Sequence, residues 1–245
     1  QFFMNLCIDQ GNSSTKAGIF DKDKLIQCFS YQNFNIKILL SIFSDFPIEN
    51  CIFSTVIEKD PIFINFLREK IPFVIVLDDK TPIPIINKYL TPESLGNDRL
   101  AGVVGASFLK PNSDVLVVDA GTAITYDFID ANKTYCGGNI SPGIDLRIKS
   151  LHEFTQKLPL VEPTPNIPIL GVDTYTAIAA GVIQGIAFEI DGYIDFLRLQ
   201  YPKLLTFLTG GSVFYFDKKL KNTIFVEKYL VLIGLNHILQ YNVKP

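Results

Sequence analysis

"VLVVDAGTAITYDFID", Val115 to Asp130, is the stretch on which the reading of this chain turns. An apolar run ends at Asp119, the chain bends through Ala120 and Gly121, and a second β-rich run resumes with Thr122 and Thr125. The chain opens the same way. "LCIDQGNSSTKAGIFD", Leu6 to Asp21, again reads strand, Asp-x-Gly, hydroxyl residues, strand. Asp119 stands 110 residues after Asp9 in a chain of 245. A period near half the length implies two similar α/β halves rather than a solenoid, and the length suits one large core or two modest domains. Either Asp-x-Gly taken singly is equally well a structural turn; the pair carries the signal.

Outward from these units, strands are expected over Phe3–Ile8, Thr15–Phe20, Leu25–Tyr31, Cys51–Ile57 and Phe73–Leu77, with a helix over Ile62–Lys70. A further helix is expected from about Asp98 to Lys110. "KPNSD", Lys110–Asp114, then marks a boundary, dividing the chain into 1–110 and 111–245. Tyr175–Leu199 reads as a long helix whose Gly181 and Gly185 share a face suited to close packing. Phe207–Gly211 reads as a strand, and Glu227–Gln240 as a closing helix.

Composition narrows the function. The chain is 48% hydrophobic and 19% charged, with net charge -3. The low charge fits well-buried sheets, or a surface covered by another subunit. No lysine- or arginine-rich tract exists, which excludes a phosphate-backbone binder and hence a nucleic-acid partner. Cys7, Cys28, Cys51 and Cys136 are widely spaced without a CxxC pair, as expected of buried thiols in a reducing compartment. His152 and His237 stand too far apart in sequence to suggest a histidine metal cluster. No stretch reaches the ~18 uninterrupted apolar residues of a membrane span, and "QFFMNLCIDQG" is too short for a signal peptide. No membrane association and a cytoplasmic location are therefore expected.

The paired turns suggest chemistry. Gly11 and Gly121 admit a close ligand, and backbone N–H groups around such turns cradle phosphate oxygens. Ser13, Ser14 and Thr15 offer hydroxyls in the first unit, and Thr122 and Thr125 in the second. Lys16 offsets phosphate charge unless strand alternation turns it away. Asp9 and Asp119 are poor direct phosphate ligands, but they make sense with a cation or water between carboxylate and phosphate. Neither a Walker loop nor GxGxxG occurs. "GNDR", Gly96–Arg99, is the catalytic candidate. A carboxylate at Asp98 can accept a substrate hydroxyl proton during phosphoryl transfer, and Arg99 can bind an anion through its donor fork. The plain alternative is a helix cap with a surface ion pair. "LTGG", Leu208–Gly211, offers bare backbone to an adenine or ribose, or simply a tight turn. "GGNISPG", Gly137–Gly143, shapes an acceptor pocket or links strand to helix. Asp173 reads as an N-cap; the Thr174 hydroxyl caps or meets substrate, and Tyr89 packs on a small substrate or within the fold.

Together these motifs resemble the type III pantothenate kinases: "DQGNSSTK" at Asp9–Lys16, "GNDR", "DAGTAITYD" at Asp119–Asp127, "GGNISPG", "KLP" at Lys157–Pro159, "DTYTAIAAG" at Asp173–Gly181 and "LTGG", in order along nearly the whole chain. The resemblance implies an α/β, actin-like, acetate-and-sugar-kinase fold with two ribonuclease H-like domains, and a cytoplasmic homodimer. It also implies ATP-dependent phosphorylation of pantothenate to 4'-phosphopantothenate, the first step of coenzyme A biosynthesis. ATP would come with a divalent cation, magnesium, and a monovalent cation, potassium or ammonium. Carried over by position, Asp9, Gln10, Gly11, Asn12, Ser13, Ser14, Thr15 and Lys16 would form the first ATP phosphate loop. Thr122 would contact ATP, and Asp119 would help hold the monovalent cation. Asp98 would accept the proton, with Arg99 stabilising substrate or transferring phosphate. Gly96, Asn97, Asp98 and Arg99 would line the pantothenate site with Tyr89 and Thr174, the last across the dimer interface. Two departures stand out: Ser13 replaces a usual threonine while keeping its hydroxyl, and Gln10 replaces a small apolar residue, either disturbing the strand or adding a contact. A polyphosphate phosphatase, another small-molecule kinase or a non-enzymatic nucleotide sensor would also use paired phosphate turns.

Overall fold

The computed structural model describes residues 4–243, and the chain divides into two compact units. The first runs through Pro111, takes in Lys133–Cys136 and resumes at Tyr229; the second holds Asn112–Asn132 and Gly137–Lys228. The first crossing point lies beside the expected boundary, but the closing segment packs with the first unit. Phe3, where the sequence starts its opening strand, lies outside the described residues.

The first unit begins β1 (Met4–Gln10), β2 (Thr15–Asp21), β3 (Lys24–Tyr31), α1 (Ile36–Asp45), β4 (Ile48–Thr55), α2 (Pro61–Lys70), β5 (Phe73–Val76), β6 (Ile86–Asn87) and α3 (Asn97–Leu109). Its sheet has the order β3-β2-β1-β4-β5. β2 runs antiparallel to both β1 and β3; β4 is parallel to β1, and β5 to β4. The continuous apolar run of β1 is that of a central strand covered on both faces: Leu6, Cys7 and Ile8 are fully buried. Leu6 and Ile8 pack with Leu39 and Ile42 of α1 and Phe63 and Leu67 of α2, while Cys7 joins a second cluster with Ala101 and Val104 of α3. α1 was not expected. Its start is fixed by Asn35, whose side chain accepts from the Lys37 and Ile38 amides, a cap worth about 1 kcal/mol. Asp60 caps α2 just before Pro61, whose fixed φ and missing N–H suit the first helical position.

The second unit follows with β7 (Val115–Ala120), β8 (Ala123–Ile129), β9 (Thr134–Pro142), α4 (Ile144–Glu153), α5 (Thr174–Gln200), β10 (Leu205–Thr209) and β11 (Phe225–Val226). Its strands lie in the order β11-β10-β7-β8-β9. β8 is antiparallel to β7, β10 is parallel to β7, and β11 is parallel to β10. This is the strand order of the first unit again, so the repeat seen in sequence is a repeat of topology. The opening residues of β9 belong to the first unit, where Thr134 and Tyr135 pair with Ile86 and Asn87 of β6. α5 buries Ile183, Ile186, Ile190 and Ile194 in one cluster with Leu116, Val118 and Tyr126. That spacing is one helical stripe, and each such isoleucine contributes about 2 kcal/mol relative to exposure. α5 is long and apolar enough to cross a membrane, but 56% of the qualifying stretch is buried inside the protein, as in a core helix.

The chain ends with α6 (Leu230–Asn242), which returns to the first unit. Leu232, Leu235, Ile238 and Leu239 join the cluster of Cys7, Phe20 and Ile52. A buried amide relay fixes its register: Asn50 donates to Asn5 at 3.0 Å, Asn5 to Asn236 at 2.9 Å, and Asn236 to the Lys22 carbonyl at 2.8 Å. Each amide is satisfied by the next, which is what makes a fully buried Asn236 tolerable. The four cysteines form no disulfide. Cys7 and Cys51 are buried as expected, and burial pushes both thiols up; Cys136 is exposed and Cys28 half-buried, against the expectation.

Candidate active site

In the first unit the turn between β1 and β2 spans residues 11–14 and is closed by the Gly11 amide donating to the Ser14 carbonyl at 3.0 Å. Gln10 adds a contact rather than disturbing the strand. Its Oε1 accepts from the Thr55 hydroxyl at 3.0 Å and its carbonyl from the Val56 amide at 3.1 Å, tying the turn to the end of β4. Lys16 stands directly opposite Asp9 in the antiparallel register, so both side chains leave the same face. Ser54 is the parallel neighbour of Asp9; its hydroxyl is buried with no hydrogen-bond partner. Asn12 and Ser13 are exposed, whereas Thr15 is buried at the start of β2.

α3 carries the "GNDR" residues on its first turn, where the helix dipole favours a carboxylate. Asp98 Oδ1 accepts from the Arg99 amide at 2.8 Å. A Cβ at Gly96 would lie 2.5 Å from that oxygen, so the carboxylate occupies space that only glycine leaves. Asn97 Nδ2 donates to the Leu77 carbonyl at 3.1 Å, docking the turn on the end of β5. Arg99 is no surface residue: it is 7% exposed. Its Nη2 donates to the Tyr135 hydroxyl at 3.0 Å, and its guanidinium lies 5.6 Å from the centre of the Tyr89 ring. Tyr89 and Tyr135 stack with centroids 6.0 Å apart. The structure thus brings Tyr89 to Arg99, two of the residues expected at the pantothenate site, and adds Tyr135, which the sequence reading did not name. Thr55, Val56, Asp78, Pro92, Gly96 and Asn97 help line a cavity of about 360 Å³. It lies at the carboxyl ends of parallel strands β4 and β5, the usual position of ligands in such sheets.

The second turn is shorter and walled. The Gly121 amide donates to the Ala123 carbonyl at 3.1 Å. Asp119 lies opposite Thr125 and beside Thr209. "GGNISPG" and "LTGG" turn out to be its walls. The Gly143 amide donates to the Thr122 carbonyl at 3.0 Å, and a Cβ there would stand 2.5 Å from the same oxygen. Gly210 has φ +100, and a Cβ on it would meet Asp119 Oδ1 and the Ala120 carbonyl at 2.5 Å. Backbone beyond Gly211 continues the wall, with the Ser212 amide donating to the Ala120 carbonyl at 2.9 Å. Thr122 is exposed. Thr174 begins α5 and, with Arg147, Ala177 and Gly181, helps line a cavity of about 600 Å³. Asp173 caps that helix as expected, accepting from the Thr176 amide at 2.8 Å. Those bonds hold its carboxyl below the ordinary range.

The donors fit hard cations. Asp119 offers carboxylate oxygen amid backbone carbonyls and threonine hydroxyls, the oxygen set that such ions take. Among the described residues no three His, Cys, Asp or Glu side chains gather as a metal cage.

Known proteins bear on this arrangement. The family described as type III pantothenate kinase matches residues 5–195. The type III pantothenate kinase of Phocaeicola vulgatus is 51% identical over 245 residues, covering 98% of this chain and all of that protein. Among solved structures, the activator of the 2-hydroxyisocaproyl-CoA dehydratase from Clostridium difficile with bound ADPNP superposes with TM-score 0.58 at 11% identity, covering 99% of this chain and 98% of its own. A ROK family glucokinase from Streptomyces griseus with glucose and AMPPNP gives 0.54 at 9% identity, covering 98% and 100%. At such identities the likeness is one of fold: the actin-like, sugar-kinase architecture.

Proposed function

The chain belongs to the type III pantothenate kinase family, and on that premise we propose how its residues carry the reaction. The activity is ATP-dependent phosphorylation of pantothenate to 4'-phosphopantothenate, which opens coenzyme A biosynthesis. Phosphoryl transfer asks the protein chiefly for positioning and charge stabilisation. In the first unit, the residue 11–14 turn and Lys16 take phosphate oxygens, through backbone N–H groups, the Ser13 and Ser14 hydroxyls and one ammonium. Asp98 orients the primary hydroxyl of pantothenate and accepts its proton. Arg99, clamped by Tyr135 and stacked near Tyr89, presents a fixed fork to carboxylate or phosphoryl oxygen. In the second unit, Thr122 contacts ATP and Asp119 holds a monovalent cation, potassium or ammonium. When bound, such an ion and a magnesium ion accompanying ATP would supply offsetting positive charge.

One observation carries the assignment of Asp98: its carboxylate stands on the first turn of α3, next to a buried arginine that two tyrosines hold. Asp98→Asn keeps shape and removes the base, and kcat for 4'-phosphopantothenate formation is expected to fall about 100-fold or more. Turnover near that of the parent, with folding verified, rejects the role.

A homodimer is supported by α5. Phe188, Phe196 and Leu199 are exposed on it, and a Cβ added at Gly181 or Gly185 would meet open space, so the close packing expected at these two glycines has no partner within the described residues; Gly192 is open in the same way. Thr174, at the start of that helix, then meets pantothenate from the neighbouring copy. Light scattering over a concentration series is expected to give the dimer mass; a monomer persisting at micromolar protein contradicts it. Cytoplasmic location follows from the pathway.

A further inference from the structure

The second unit holds a charged pair that the roles above leave unused. Arg147 of α4 reaches Glu189 of α5, Nη2 to Oε2, at 2.5 Å. The same guanidinium donates from Nε to the Pro142 carbonyl at 2.7 Å and from Nη2 to the Ser141 hydroxyl at 2.8 Å. Glu189 Oε1 accepts from the Tyr126 hydroxyl of β8 at 2.9 Å. The two charged side chains are 22% and 26% exposed, so the pair is well shielded without being sealed. Burial raises the Glu189 carboxyl, but the bonds from Arg147, Ser141 and Tyr126 outweigh it and hold the group below its ordinary range.

Ser141 and Pro142 are the last residues of β9, and the next residue is Gly143, whose amide bonds the Thr122 carbonyl. The Arg147 amide in turn donates to the Gly143 carbonyl at 3.0 Å. Arg147 therefore holds residues 141–143 by both its side chain and its backbone, and Glu189 anchors that grip to the long helix. Tyr126 belongs to the strand that leaves the Asp119 turn, so the same carboxylate also touches the far side of the hairpin.

We propose that the Arg147–Glu189 pair is a positioning device for the Asp119 turn: it presses Gly143 onto Thr122 and so sets the Thr122 hydroxyl for ATP. The inference rests on the reading that Thr122 contacts ATP. A pair serving stability alone would change the unfolding transition and leave the balance of substrate constants untouched. A positioning pair changes KM for ATP and spares KM for pantothenate.

The test is steady-state kinetics on the full chain with Glu189→Ala, Glu189→Gln, Thr122→Ala and the Thr122→Ala/Glu189→Ala double variant. Glu189→Ala is expected to raise KM for ATP about tenfold, since a misplacement near 1 Å far from the chemistry can cost up to about 100-fold. KM for pantothenate should stay within about twofold. On the Thr122→Ala background the same change is expected to add less than about twofold, because coupled residues are not additive. Full additivity, equal changes in both KM values, or a lowered melting temperature with unchanged kinetics overturns the proposal. Should Glu189→Ala not fold, Glu189→Gln decides. It keeps one of the two acceptor oxygens that Tyr126 and Arg147 use and loses the charge, and a rise in KM for ATP of about threefold is expected; no rise overturns the proposal. If Thr122→Ala alone leaves KM for ATP unchanged, the reading of Thr122 fails and the inference with it. If Thr122→Ala raises it and neither Glu189 variant does, only the inference fails.

Discussion

The Asp9 turn and the Asp119 turn sit at the same place on the same strand order, yet they are built differently. The first is four residues long, has exposed Asn12 and Ser13 at its tip, and sets Lys16 across from its aspartate. The second is shorter, sets Thr125 and Thr209 beside its aspartate, and is walled by Gly143 and Gly210. Topology alone therefore does not assign a role. An open turn with an ammonium suits the mobile, highly charged tail of a nucleotide. A walled turn of carboxylate, carbonyl and hydroxyl oxygens suits a cation and a fixed contact.

The contrast breaks first at the glycines. Gly210→Ala places a Cβ at positive φ and against Asp119, and is expected to cost about 2–4 kcal/mol in urea unfolding along with most of the kinase activity. Gly11→Ala meets only the Ser14 carbonyl at 3.3 Å, and is expected to cost less than about 1 kcal/mol. Equal effects at the two glycines would erase the distinction between a walled and an open turn.

Tyr135→Phe sharpens the view of the first unit. Arg99 keeps its place near Tyr89 but loses the bond from its Nη2 to the Tyr135 hydroxyl, an effect of about 1 kcal/mol. KM for pantothenate is expected to rise roughly fivefold with KM for ATP unchanged; the reverse pattern would assign Arg99 to the nucleotide. The smallest effect is acid-dependent and belongs to the second unit. Because the folded Glu189 carboxyl lies below its ordinary value of 4.5, its charge stabilises the protein above that pH, and the contribution fades as pH falls through the lower folded value. The stability gap between the parent and Glu189→Gln, followed by denaturation across pH 7 to 3, is expected to narrow only below about pH 4.5. A gap independent of pH would mean that the charge contributes nothing.

How much of this could be read in advance follows from the range of the forces involved. The hairpins at Asp9 and Asp119, α3 and α5 are written locally, as apolar runs, helical spacing and turn residues, and they appear within a few residues of expectation. α1 was missed although Asn35 followed by Ile36, Leu39 and Ile42 is a cap ahead of a helical stripe; the run is rich in β-branched isoleucine and reads equally as strand. Tyr135 carried no local signal. It pairs with Asn87 where β9 meets β6 and bonds Arg99, which lies 36 residues away. The return of α6 to the first unit was invisible for the same reason, since Asn5 and Asn236 meet across 231 positions. Motif reading named "LTGG" and "GGNISPG" but could not say that both wall the same turn, because that is a fact of close approach between backbones.

The division of labour between the turns is tested most directly by comparing Lys16→Ala with Asp119→Asn in one kinase assay, titrating ATP and potassium separately. Lys16→Ala is expected to raise KM for ATP about tenfold, the loss of one charged contact, and to leave the half-saturating potassium concentration unchanged. Asp119→Asn is expected to raise the potassium requirement by at least a similar factor. Identical shifts in the two variants, or a potassium response lost with Lys16 and kept without the Asp119 charge, would contradict it.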